Sequence, residues 1–264
     1  MAAQAEFASK VVLITGGSKG IGLACARLFL AQGATVALAS RSADNLKAAQ
    51  QALKDTGGTV HAIEADLRQP DDAQRMFDET VRLAGVPDVL VNSAGAARRT
   101  PVFELTMQAW KDAMDAKFFT YVNAMMACLP AMAQAGRGAV VNVIGMGGKI
   151  ASPTHIAGGS ANAALMLATA GLANGYAAKG IRVNSVNPGI TLTERMREGL
   201  QAQARHEGIS EEEAMRRAVA KLPMGRIVSA EEVGEVVLFL ASQRSSYING
   251  ANVPVDGAMY GSIV

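Results

Sequence analysis

The stretch Thr15-Gly16-Gly17-Ser18-Lys19-Gly20-Ile21-Gly22 has the composition of a phosphate cradle. It follows the apolar run Val11-Val12-Leu13-Ile14 and leads into Leu23 to Leu30, an apolar stretch of helical type. In a strand, glycine turn and helix, the glycines let the backbone approach a dinucleotide pyrophosphate, and first-turn N–H groups of the helix face it. The spacing is G-x-x-x-G-x-G rather than G-x-G-x-x-G, so the flanking strand and helix carry the reading. Metal chemistry has no comparable support. The three histidines are scattered, and no His/Cys/carboxylate cluster has ligand spacing.

Such a turn needs a sheet behind it. Apolar strands are expected at 11–14, 34–39, 59–64, 88–91, 139–144, 181–187 and 251–255. Helices are expected at 23–30, 42–55, 70–84, 159–179 and 230–242, with a long one at 106–135 kinked or ended in part by Pro130. The strands are mostly apolar rather than alternating, as in a parallel sheet covered on both faces. The predicted fold class is α/β: a doubly wound (Rossmann), mostly parallel sheet with helices on both faces, in a single domain over 1–264. Ligands of such sheets sit beyond the carboxyl ends of the strands. That points to the loops at 15–22, 39–42, 65–67, 92–95, 144–158 and 187–193.

Composition narrows the function classes. Half of the 264 residues are hydrophobic and 18% are charged, which suits a folded core. A net charge of +2 gives no reason to expect nucleic acid or an anionic membrane as a partner. No apolar run approaches the length of a membrane span. Cys25 and Cys128 fall in apolar helical stretches and read as reduced core residues. Residues 1–9 lack a basic start with an apolar centre, so no signal peptide is expected. A cytoplasmic protein is the expectation.

Several loop segments together resemble one family. The glycine turn, Asn92-Ser93-Ala94-Gly95, Gly180-Ile181-Arg182-Val183-Asn184, Asn187-Pro188-Gly189, Leu240-Ala241-Ser242, and Asn249-Gly250 with Val255-Asp256-Gly257 resemble the short-chain dehydrogenase/reductases. The resemblance runs over about residues 9–257 and is closest to the ketoacyl-reductase-like members. It implies a seven-stranded sheet, a nicotinamide cofactor, a small-molecule substrate, and commonly a homotetramer formed through the long helices and the C-terminal strand.

By the same resemblance Gly16, Ser18, Lys19, Gly20, Ile21 and Gly22 would hold the pyrophosphate, and Asp66 and Leu67 would contact the adenine. Asn92, Ala94 and Gly95 would line the path of the ribose and pyrophosphate. Asn162, Pro188, Gly189, Ile190 and Thr193 would hold the nicotinamide end. An acidic residue ending strand two would bind the adenosine ribose hydroxyls and repel a 2′-phosphate. Ser40-Arg41 stands there instead, with Lys19 in the turn, which favours NADP(H) over NAD(H). Arg41 and Lys19 also read as ordinary solvated charges.

The catalytic half departs from the family pattern. The family uses a tyrosine as acid or base, a lysine one turn later, a serine after strand five and an asparagine on the long helix. Laid on this chain without gaps, those positions are Gly158, Asn162, Gly145 and Lys117. Tyr176-Ala177-Ala178-Lys179 is a Y-x-x-x-K string, but it lies at the far end of its helix and reads as structural. Three readings stay open. A redox enzyme could take its proton from Lys117, reaching into the space vacated at 158 and 162, or from His155. A non-redox lyase or imine-forming enzyme could use Lys117 as nucleophile. The chain could also be a non-catalytic NADP-binding subunit or sensor. Lys117 is equally readable as a snorkelling side chain or a partner of Asp112 or Asp115, and His155 as a solvated loop residue.

The segment 191–222 is charged and amphipathic, where the family carries a variable helical lid; a solvated helical face would look the same. Met146, Met196 and Phe118 are candidates for an apolar substrate pocket or for core.

Overall fold

The structure is a computed structural model that describes residues 5–95 and 97–261; residues 1–4, part of the N-terminal stretch read above, lie outside the described residues. The strands are β1 (Val11–Thr15), β2 (Thr35–Ser40), β3 (Val60–Glu64), β4 (Val89–Asn92), β5 (Gly138–Val143), β6 (Ile181–Pro188), the two-residue β7 (Thr191–Leu192) and β8 (Val228–Ser229), and β9 (Asn252–Val255). Seven of them form one sheet in the order β3-β2-β1-β4-β5-β6-β9, every pairing parallel. The strand order reverses between β1 and β4, where loops diverge and a ligand can enter.

Apolar residues on successive positions of one strand serve opposite faces of the sheet. Val12 and Ile14 of β1 join a core with α1 (Gly20–Ala31), α2 (Ala43–Ala52) and α9 (Ala230–Ala241). Leu13 joins the other core with α3 (Pro70–Ala84), α5 (Thr120–Ala135) and α6 (Ile156–Tyr176). At the amino ends of the strands Asp88 ties three of them together. Its carboxylate accepts from Val11 N at 3.1 Å and Arg137 Nε at 2.9 Å, and pairs with Lys10 Nζ at 3.3 Å. Burial works to raise its pKa, but these donors outweigh it and hold the carboxyl below its usual value.

The long helix of 106–135 is broken, but not at Pro130. That proline lies inside α5 with its residue exposed, and the helix continues past it. The interruption is a wider, π-type turn at Met114–Phe119, between α4 (Met107–Ala113) and α5. Such turns are frequent at functional sites, and this one carries Lys117. α6 begins at Ile156, earlier than the pattern suggested, and takes Ala157, Gly158 and Gly159 into its first turn.

The expectation of no span-length apolar segment needs correction. Ile156–Lys179 is long and apolar enough to cross a membrane by length and composition. In the fold it is a core helix: Ala161, Leu165, Thr169 and Ala173 form its buried face. The helical segment expected at 191–222 forms as β7, α7 (Glu194–Glu207) and α8 (Glu211–Val219). Both helices are capped by hydroxyls, Thr193 accepting from Met196 N and Ser210 from Glu213 N.

Candidate functional site

The glycine turn closes the carboxyl end of β1. Gly16 takes a left-handed φ of +65° and donates its N–H to Ala39 O of β2 at 2.8 Å. A Cβ on Gly22 would overlap the Gly16 carbonyl oxygen, so the first turn of α1 rests directly on the loop. Thr15 shapes the neighbouring loop: its Oγ1 accepts from Ser93 N at 3.2 Å and Ala94 N at 3.3 Å.

Asn92 does not line the groove. Its side chain is fully buried, its Oδ1 accepting from Thr15 Oγ1 at 3.2 Å and its Nδ2 donating to Asn142 Oδ1 at 2.9 Å. Asn142 in turn donates to Thr169 Oγ1 at 3.0 Å. A polar chain thus crosses β1, β4, β5 and α6 under the site and holds the strand ends together. Asn92 positions the loop; Ala94 and Gly95 line it.

Beyond the carboxyl ends of β1, β2 and β3, Gly16, Ser40, Arg41, Asp66, Leu67 and Arg68 line a cavity of about 190 Å³. Ser18 Oγ donates to Ser40 Oγ at 3.1 Å. The Asp66 carboxylate is gripped by Arg68 Nε at 2.9 and 3.0 Å, and this hydrogen bonding holds its pKa below the usual value. Its backbone N–H is taken by Asp72 at 2.9 Å. Asn123 of α5 anchors the same loop by donating to Leu67 O at 2.9 Å. Arg68 and Asn123 escaped the sequence reading, although Arg68 lies only two residues beyond Asp66. Arg41 is exposed on the rim, while Lys19 pairs across the groove with Glu194 at 3.3 Å, both side chains solvated.

The middle of the groove, about 720 Å³, is lined by Gly20, Ile21, Lys19 and Arg41 on one side and Pro188, Gly189 and Thr193 on the other. It opens into a further cavity of about 940 Å³ through a shared wall that includes Gly145, Pro188 and Gly189. Ile190, Thr193, Asn162, His155, Lys117, Met146 and Met196 all line this second cavity. Phe118 does not; it packs toward the core and edge-on to Phe119. Tyr176 ends α6 at the other end of the helix from His155 and Asn162, against the core.

Lys117 and His155 are both in this wall but in different settings. Lys117 is buried, and its Nζ donates to Tyr121 Oη at 2.7 Å and to Val143 O at 3.1 Å, at the end of β5. The Tyr121 hydroxyl donates to the same carbonyl, and burial pushes its pKa far up. Asp115 and Asp112 are exposed on the other side, Asp112 accepting from Gln108 at 2.7 Å. Lys117 therefore reaches β5 rather than the space at 158. That space belongs to His155: a Cβ built on Gly158 would overlap His155 Cε1 and lie 2.8 Å from its Nδ1 and from Ala97 Cβ. Asn162 is buried with its Nδ2 3.6 Å from where a Gly145 Cβ would be and 3.4 Å from one on Gly147. Gly145 itself has φ +120°, a conformation L side chains rarely adopt.

The arrangement suits a dinucleotide. The glycine turn, the small cavity rimmed by Arg41 and the cavity at the opposite end adjoin one another through shared lining residues. Another cavity, of about 480 Å³, opens at the amino ends of the strands around Asp88 and Arg182, away from this path. No group of three or more metal-ligating side chains occurs among the described residues.

Known proteins agree with this geometry. The family model described as enoyl-(acyl carrier protein) reductase matches residues 16–259. A 3-oxoacyl-(acyl-carrier-protein) reductase of Chlamydia muridarum is 31% identical, over 95% of this chain and 97% of that protein. Cis-4-hydroxycyclohexanecarboxylate dehydrogenase of Sinomonas cyclohexanicum is 34% identical, over 95% and 96%. Among solved structures, the NADPH-bound short chain oxidoreductase of Pseudomonas aeruginosa PAO1, which contains an atypical catalytic center, aligns with TM-score 0.89 at 30% identity, covering 97% of this chain and 99% of that one. The chain belongs to the short-chain dehydrogenase/reductase family, among its ketoacyl-reductase-like members.

Proposed function

We propose that the protein is an NADP(H)-dependent oxidoreductase acting on a carbonyl or hydroxyl group of a small molecule, with His155 as the proton donor in place of the family tyrosine. The preference for NADP(H) is supported by Ser40 and Arg41 at the end of β2, with no carboxylate at either position, and by the NADPH of the Pseudomonas relative. The observation that carries the redox reading is the junction at Gly145, Pro188 and Gly189, where the cofactor groove meets a cavity walled by His155 and Lys117. Bound NADP(H) supplies or takes up a hydride at the reacting carbon. In reduction the substrate oxygen must gain one proton, and a ring nitrogen of His155 gives it; in oxidation the same nitrogen takes it back. Asn162 Nδ2, over Gly145 and Gly147, is set to donate a hydrogen bond to that oxygen in place of the family serine. Lys117 is the weaker donor, because its ammonium is held by Tyr121 and Val143.

A non-catalytic NADP(H)-binding role is favoured by one observation, the left-handed backbone of Gly145 where the family has a serine. Imine chemistry would require Lys117 to leave its hydrogen bonds to Tyr121 and Val143 O. Titration with NADPH and NADH, followed by a carbonyl-substrate screen that reads NADPH oxidation, separates these readings. Tighter binding of NADPH and turnover of at least one carbonyl class are expected. No stabilisation by either nucleotide would defeat the cofactor assignment, and binding with no turnover across the screen would leave the non-catalytic role.

A further inference from the structure

We infer that the substrate carries an oxyanion, a carboxylate or a phosphate, which Arg99 reads at the mouth of the cavity. The inference rests on the redox reading of the same cavity. Among the described residues, the charged or titratable groups lining the cavity are Arg99, Lys117, His155 and the Tyr260 phenol, with no aspartate or glutamate. The carboxylates nearest in the chain, Glu194 and Glu198, line the cofactor groove, where Glu194 faces Lys19. The two cations sit at different depths: Lys117 is buried in the wall and Arg99 is exposed. Cations with no carboxylate in the lining, set among Met146, Ile150 and Met196, bias the cavity toward positive potential inside low-dielectric walls, Asp256 lying behind them where it accepts from Tyr260 N at 3.3 Å.

The backbone that carries Arg99 is tethered. Thr100 N donates to Thr154 O at 3.0 Å, which ties its segment to the loop that delivers His155. Ala97, two residues before it, is buried in contact range of Gly158. The guanidinium is thus carried on backbone fixed on either side, next to the proposed proton donor. Its planar fork matches a carboxylate or phosphate in two parallel hydrogen bonds, which a neutral carbonyl compound cannot offer. A substrate spanning the cavity would place its oxyanion at Arg99 and its reacting carbon at Gly145.

The test uses matched pairs: 4-carboxybenzaldehyde against methyl 4-formylbenzoate, and glyceraldehyde 3-phosphate against glyceraldehyde. Their binding to the NADP+ complex, in which no reduction can follow, is measured by calorimetry for the full chain and for Arg99→Gln. The charged member of one pair is expected to bind about tenfold or more tightly, and Arg99→Gln is expected to abolish that difference while Arg99→Lys keeps part of it. The pair that shows the preference identifies the oxyanion. Equal binding within both pairs, or a preference that survives in Arg99→Gln, would overturn the inference. NADPH oxidation is read in parallel. A charge preference without turnover would sink the redox reading and leave the Arg99 assignment, whereas turnover without the preference would do the reverse.

Discussion

The imidazole of His155 fills the space that any side chain at Gly158 would enter. A Cβ on Gly158 would overlap His155 Cε1 and come within 2.8 Å of Nδ1 and of Ala97 Cβ. Histidine and glycine, three residues apart at the start of α6, therefore pack as a pair, and a side chain at 158 requires the ring of His155 to move.

Gly158→Ala tests that pairing. Within a helix the change would ordinarily stabilise by about 1 kcal/mol. Here it is expected to destabilise by about 1–3 kcal/mol through overpacking. In the His155→Ala background its cost is expected to fall by about 1 kcal/mol or more, although Ala97 still crowds the site. Urea unfolding of the four proteins in the cycle reads the coupling; additive effects would show that the ring moves away freely.

Gly145→Ser meets a different obstacle. Nothing lies closer than 3.6 Å to the new Cβ, so the cost comes from the backbone at φ +120°. A loss of about 1–3 kcal/mol in unfolding free energy is expected, with no gain in turnover. Unchanged stability would mean that the backbone relaxes to an ordinary conformation.

Much of the architecture was legible because strands buried on both faces are mostly apolar, as Val11–Thr15 is; Ile181–Pro188 is as buried but carries Arg182, Asn184, Ser185 and Asn187. The glycine turn and the loops beyond the strand ends were legible for the same reason, since the sheet dictates where they lie. The role of Asn92 was not: its partners Thr15 and Asn142 are 77 and 50 residues away in the chain, and only the sheet brings them together. The π-type turn at Met114–Phe119 left no mark in composition, while Pro130 drew attention to a break that α5, running on to Ala135, does not make there. The contact between His155 and Gly158 depends on α6 starting at Ile156. A helix begun three residues later hides it.

Arg41→Glu should alter cofactor choice. Arg41 stands on the rim of the cavity beyond β2, and Arg68 beside it is already occupied by Asp66. Affinity for NADPH is expected to fall about tenfold or more, and affinity for NADH to change much less. Equal losses for the two nucleotides in a fluorescence titration would place Arg41 away from the 2′-phosphate.

Asp88 gives an acid limb to stability. Its folded pKa is depressed, so its contribution is full above the unfolded carboxylate value near pH 4 and is lost as the pH falls through the lower folded value. Asp88→Asn is expected to cost about 1–3 kcal/mol at pH 7, because charge-assisted bonds to Arg137 and Lys10 weaken, and less as the solution is acidified. Denaturant melts at pH 7 and pH 3 would show it; a cost independent of pH would assign the effect to packing instead.

His155→Ala, measured in NADPH oxidation against the best carbonyl substrate with the NADPH dissociation constant determined alongside, tests the proton-donor assignment most directly. Turnover is expected to fall about 100-fold or more while NADPH binding stays within about twofold, and Lys117→Met is expected to lose less. Turnover that His155→Ala leaves intact would contradict the assignment.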